Sequence, residues 1–246
     1  MSEQKQIAIP KAKVQLPANY QEEMAAEAAE IAKRVAAPSG DTIKVLKDKT
    51  FELPNGDTLE VLTGVIVDFV SNNQYYGRKF DATDIKPPIC FALGTDIDDM
   101  KPSPQSTDIQ SEECKTCWAN QWGTDGKGKA CKNQRLVAIV PPEMQATGPL
   151  LLLKVAPTGV RYFDQHISGA TTLAGGMFKV VTEFVCDPAP DYASLRFKVL
   201  GPNEDFAEAY SRKKGARARL LTEPDYGTAP AEKAAAAATK PKGKGK

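Results

Sequence analysis

The chain has 246 residues, with 32 Lys and Arg against 31 Asp and Glu, one His and five Cys. That length can bury a core without disulfide help. No stretch approaches the ~18 consecutive apolar residues of a membrane span, and the opening MSEQKQIAIPKAK lacks the apolar run of a secretory signal, so a soluble, cytoplasmic chain is expected and a membrane protein excluded.

Residues 1–18 carry no usable period and read as a flexible arm. Over 19–40, Tyr20, Met24, Ala28, Ile31 and Val35 recur at helical spacing, Asn19 is a candidate N-cap, and Pro38-Ser39-Gly40 stops the pattern. From Thr42 the period becomes strand-like, and Asn55-Gly56 signals a hairpin, so residues 42–71 predict two or three antiparallel strands. Residues 77–132 are rich in Gly, Pro, Asp, Lys and Cys and have little hydrophobic period, which makes them an insertion that something else must organise. Strands resume at 135–140, 150–156, 178–186 and 194–200, with a short helix over Thr158 to Leu173. A short acidic helix and the basic run SRKKGARAR fill 201–224, and the Lys-rich segment 225–246 has the composition of a disordered tail. The order predicts a mainly β (α+β) chain: an OB-like, partly open antiparallel barrel over 41–200 with a Cys-rich insertion at 77–132 and flanking helices.

Four of the five cysteines follow the spacing Cys90-x23-Cys114-x2-Cys117-x13-Cys131. The CxxC knuckle aims two sulfurs at one ion, and the flanking cysteines complete the closed four-thiolate set of a structural Zn2+. Zinc would also explain how a segment without its own core folds. Two disulfides or ordinary buried thiols are the alternatives, and Cys186 reads as a buried small hydrophobe.

Around the insertion stand Tyr75, Tyr76, Arg78, Lys79 and Phe80, then Trp118 and Trp122, then Lys127, Lys129, Lys132 and Arg135. Aromatic faces stack on unpaired bases and cations track phosphates, so these residue types suit single-stranded nucleic acid with weak sequence preference. Each of the aromatics has a core reading beside the binding one. TDGKGKA does not match the GxxxxGK[ST] phosphate loop and reads as a flexible basic loop. Asp96, Asp98 and Asp99 read as a solvated acidic face and not a nuclease centre. The lone His166 reads as a helix-surface or packing residue and leaves little room for Ser-His-Asp or multi-His metal catalysis. No catalytic set is expected. Arg212, Lys213, Lys214, Arg217 and Arg219 form a basic run next to the Lys-rich tail, a pattern that favours polyanion contact.

The strings NQYYGRKFD, PPICFALGTD and CKTCWANQWGTDGKGKACKNQR, followed by LVAIV, resemble phage-encoded zinc-containing single-stranded DNA-binding proteins, the class of the phage T4 helix-destabilising protein. The resemblance implies an OB-type barrel interrupted by a zinc subdomain. It also implies Zn2+ on Cys90, Cys114, Cys117 and Cys131, and a cleft drawn from the aromatics and cations around them. The T4-type metal set includes a histidine and the class commonly ends in an acidic tail, whereas this chain offers four cysteines and a basic tail. The expected function is non-catalytic, sequence-tolerant binding of single-stranded DNA in phage replication or recombination, in the host cytoplasm, with replication or recombination proteins as further partners. The alternative is a zinc-stabilised structural or adaptor protein of a virion or transcription complex. Exposure of the tryptophans and tyrosines along one basic groove separates the two.

Overall fold

In a computed structural model, the strand-like period that starts at Thr42 becomes the edge of one nine-stranded sheet. The structure describes residues 41–79, 83–84, 86–224 and 226, together with Glu23. The expected arm (1–18), the helix over 19–40, Phe80 and the tail (225–246, apart from Tyr226) lie outside the described residues. The chain divides at Gly40 and Asp41 into two units, and the second holds the sheet. Among the described residues no helix is long and apolar enough to cross a membrane.

The first three strands are short: β1 (Thr42–Val45), β2 (Phe51–Glu52) and β3 (Thr58–Leu59). They pair antiparallel in sequence, and the Asn55-Gly56 turn between β2 and β3 has Gly56 at φ +89°, a left-handed value that glycine adopts without Cβ cost. β4 (Val61–Tyr75) is the spine. One edge carries β6 (Lys132–Val140); the other carries β8 (Val180–Cys186) beside its first residues and β5 (Cys90–Gly94) beside its last. β7 (Leu151–Val155) extends the sheet from β6, and β9 (Leu195–Pro202) extends it from β8.

The expectation of an antiparallel barrel needs correction, because β1 runs parallel to β7. The sheet is therefore mixed, and its order β3-β2-β1-β7-β6-β4-β8-β9, with β5 also on β4, curls into a half-barrel. Within the insertion 77–132, which shows little hydrophobic period, five residues form β5 on the spine, using backbone groups that no side-chain period announces.

Period-2 alternation sends neighbouring residues to opposite faces. On one face Ile66, Val137, Ile139, Leu153 and Val155 pack with Phe163 of α1 (Pro157–Ala174). Pro157 starts that helix, and Gly175 at φ +78° ends it by donating its N–H to the Thr171 carbonyl. On the other face Val65, Val67, Val70, Ala138 and Val140 meet Ala209 of α2 (Phe206–Ser211) and Ala216 and Leu220 of α3 (Lys213–Leu220). A bulge between Ile66 and Asp68 puts two successive spine residues on this second face. Gly64 lies where the spine passes from β8 to β6, and a Cβ there would run into Ile139 Cγ2.

Candidate metal centre and nucleic-acid interface

The end of the spine builds both candidate sites. Tyr75 pairs with Cys90 at the start of β5, while Gln74 pairs with Lys132 at the start of β6, so Cys90 and Cys131 are delivered to the same end by strands on either side of β4. The segment between them folds back over this end: Cys114 donates its N–H to the Met100 carbonyl at 3.0 Å, and Cys131 donates to the Ala119 carbonyl at 2.7 Å. Asn120 caps the knuckle by donating its amide to the Cys114 carbonyl at 2.7 Å.

Cys90, Cys114, Cys117 and Cys131 consequently line one cavity of about 20 Å3, beside Asn73 and Tyr75. All five cysteines are free thiols, so no disulfide joins them. Burial, with the neighbouring Cys114, Cys117 and Cys90 thiols adding to it, pushes the Cys131 thiol up to about 12. Burial raises Cys114 as well; the Asn73 amide offsets part of this, and Cys90 and Cys117 add to it. Four thiols thus sense one another in a space of atomic size. Among the described residues, no three His, Cys, Asp or Glu side chains already stand in the arrangement of a formed metal centre. The donor set nevertheless fits a soft divalent ion, since four thiolates gathered in an apolar pocket need a cation to ionise together. Cys186 sits on β8, half-buried against the first core cluster and outside this group.

The expected binding residues divide between the two faces. Tyr75 turns to the cysteine side, packs with Cys117, Ala119 and Cys131, and meets Trp118 edge-on at 5.5 Å. Tyr76, its neighbour, lines a different pocket with Arg78, Lys79 and Lys132. Trp118 is 50% exposed and Trp122 is 77% exposed. Trp122, Lys129 and Lys132 line an 850 Å3 cleft between the cysteine lobe and α1, completed by Val160 and Arg161. The Lys129 ammonium stands 5.6 Å from the Trp122 ring centre. TDGKGKA is drawn into a turn in which Gly126 takes positive φ and Asp125 bridges Gly128, just after Gly123, also at positive φ. Lys127 is exposed at its tip.

Lys132 is paired with Asp125 at 2.6 Å, and several other cations are committed as well. Arg135 is buried and forks onto Asp164 with bonds of 3.0 and 2.8 Å. Arg212 donates to the Gln145 and Gly148 carbonyls, Arg217 pairs with Asp68, and Arg219 pairs with Asp41. Lys213 lies 6.0 Å from the Tyr210 ring centre and Lys214 is exposed. Asp96, Asp98 and Asp99 are exposed, with Asp98 paired to Lys115 at 2.8 Å.

Sequence reasoning missed Arg161, Lys86, Lys154 and Tyr226. Arg161 borders the tryptophan cleft; the other three line the pocket that holds Tyr76. Their signal lay only in the fold, since helix, loop, strand and C-terminal segment are distant in sequence. Compared with known protein families, curated proteins and solved structures, the chain matches none.

Proposed function

We propose that this chain is a non-catalytic, sequence-tolerant single-stranded DNA-binding protein of phage replication or recombination, with a structural Zn2+ on Cys90, Cys114, Cys117 and Cys131. The observation that carries the reading is the pair of exposed tryptophans on the cysteine lobe, with Lys129, Lys132 and Arg161 around the cleft that Trp122 borders. Large aromatic faces left in water beside cations suit unpaired bases and their phosphates. The OB-like reading is supported by the succession β4, β6, β7, α1, β8, β9, in which the spine is flanked by both β6 and β8. The free edge of β7 is taken by β1, which leaves the curl open.

In this mechanism zinc does no chemistry. It holds the knuckle that carries Trp118 and Trp122, the rings stack on bases, and Lys127, Lys129, Lys132 and Arg161 neutralise phosphates. The test is tryptophan fluorescence of the zinc-loaded protein titrated with unlabelled oligo-dT and with duplex of the same length, at two salt concentrations. Single strand alone should quench the signal, more weakly at high salt. Trp122→Ala should weaken binding by about 1–3 kcal/mol, the usual value of one stacked base. If neither ligand changes the fluorescence and a gel shift is negative, strand binding fails and the exposed tryptophans belong to the adaptor reading.

A further inference from the structure

Gln74, Tyr76 and Tyr226 form a fixed triad on the face of the spine opposite Tyr75. The Gln74 side chain is buried; its amide nitrogen donates to the Tyr226 hydroxyl at 2.6 Å, and its oxygen accepts from the Tyr76 hydroxyl at 2.9 Å. One amide thereby engages both phenols, which holds both rings in place. Tyr226 is braced from behind by Phe91, edge-on at 5.0 Å. The C-terminal segment that carries it is tied down nearby, where the Ser103 hydroxyl donates to the Glu223 carboxylate at 2.6 Å.

Both rings line a cavity of 520 Å3, within the range of small-ligand sites. Five cations border it, Arg78, Lys79, Lys86, Lys132 and Lys154, against one acid among the described residues, Asp84, and Lys132 is paired with Asp125 at 2.6 Å. Asp84 is already neutralised by Arg78 at 2.9 Å and Lys86 at 3.2 Å. Lys79 and Lys154 form no ion pair among the described residues. Two fixed aromatic rings in a pocket with surplus positive charge match a flat base carrying a phosphate. A peptide strand would want free backbone partners here, and an apolar ligand would leave the ammonium groups unpaired.

The geometry points to a second subsite for one nucleotide of the bound strand, completed by Tyr226 from the C-terminal segment. This inference rests on the strand-binding reading above and adds a face to it. Lys132 lines both this pocket and the tryptophan cleft, so it connects the two faces at the end of β6. The base lies against Tyr76 or Tyr226, and Lys79, Lys86 and Lys154 hold the phosphate.

The experiment measures anisotropy of fluorescein-labelled oligo-dT with the full chain and its Tyr226→Leu, Lys154→Glu and Tyr226→Phe variants, with unlabelled dTMP as a separate competitor. Tyr226→Leu should weaken strand binding on the order of 5- to 150-fold. Lys154→Glu, on an exposed side chain, should weaken binding and reduce the salt slope by about one counterion. Tyr226→Phe, which keeps the ring, should lose less than Tyr226→Leu. If the variants bind as the wild type does while Trp122→Ala weakens binding, the subsite is refuted and the strand-binding reading stands. If wild-type protein does not bind oligo-dT, both are refuted. If dTMP binds more tightly than the oligonucleotide and with the same sensitivity to the variants, the pocket serves a free nucleotide and the strand subsite is overturned.

Discussion

His166 is the one imidazole in the chain, and its environment gives a clean readout of the α1 interface. Its Nε2 lies 3.0 Å from the Thr182 hydroxyl, and its ring stacks on Phe197 at 5.9 Å. Burial holds its pKa below the ordinary 6.5, because the charged ring would lose water. The folded state then binds fewer protons than the unfolded state as pH falls below 6.5, so stability is full above that value and declines as pH drops through the folded pKa. A proton NMR titration should show the single imidazole resonance titrating below 6.5. The loss of stability between pH 7 and 5 should be smaller in His166→Gln; an imidazole that titrates at or above 6.5 would contradict the buried environment. Its isolation in the sequence left a helix-surface and a packing role open, and the Thr182 contact at 3.0 Å places it in packing. Arg135 went the other way, since a cation beside a basic turn reads as a phosphate ligand until Asp164, 29 positions on, is seen to grip it at 2.8 Å. Long-range pairing of that kind leaves no local mark.

Among the elements, the spine shows how one irregularity redirects a strand. Strict alternation would send Asp68 to the same face as Ile66, into the core under α1. The bulge turns it to the opposite face, where Arg217 of α3 pairs with it at 2.8 Å and 3.4 Å. Asp68 is 3% exposed at its side chain, so the pair anchors α3 to the sheet at a point that would otherwise bury an unpartnered carboxylate. Arg217→Ala should cost about 1–3 kcal/mol in chemical denaturation, the usual range for orphaning a buried polar group. The half-exposed arginine limits the cost by letting water reach the site. Asp68→Asn in the same background should recover part of the loss; a double-mutant cycle without coupling would show that the pair does not anchor the helix. The same alternation separates Tyr75 from Tyr76: adjacent in sequence, they look out on opposite faces, one toward the cysteines and one toward Gln74 and Tyr226. Treating them as one cleft ignores the pleat.

At the scale of the whole molecule, the cysteine lobe has few apolar residues of its own: its two small clusters are Ala92, Met100 and Cys114, and Cys117, Ala119 and Cys131. Zinc ligation would therefore couple directly to stability. With free zinc a thousandfold above its dissociation constant, linkage contributes about 4 kcal/mol, which for a domain of this size corresponds to a fall of roughly 8–16 °C in Tm on chelation. Metal analysis of purified protein should find one zinc per chain, and Cys117→Ser should lower it. A metal-free protein whose Tm is unchanged by chelator would remove the metal from the account.

The main strands, the Asn55-Gly56 hairpin, helix α1 and the four-cysteine grouping were all legible from residue order, because period, turn chemistry and the CxxC knuckle are local properties. The parallel seat of β1 on β7, the strand β5, the bulge at Asp68 and the pocket around Tyr226 were not. Each depends on backbone pairing or side-chain contact between segments far apart in the chain, where hydrogen-bonding groups common to every residue select the partner and no side-chain pattern records the choice.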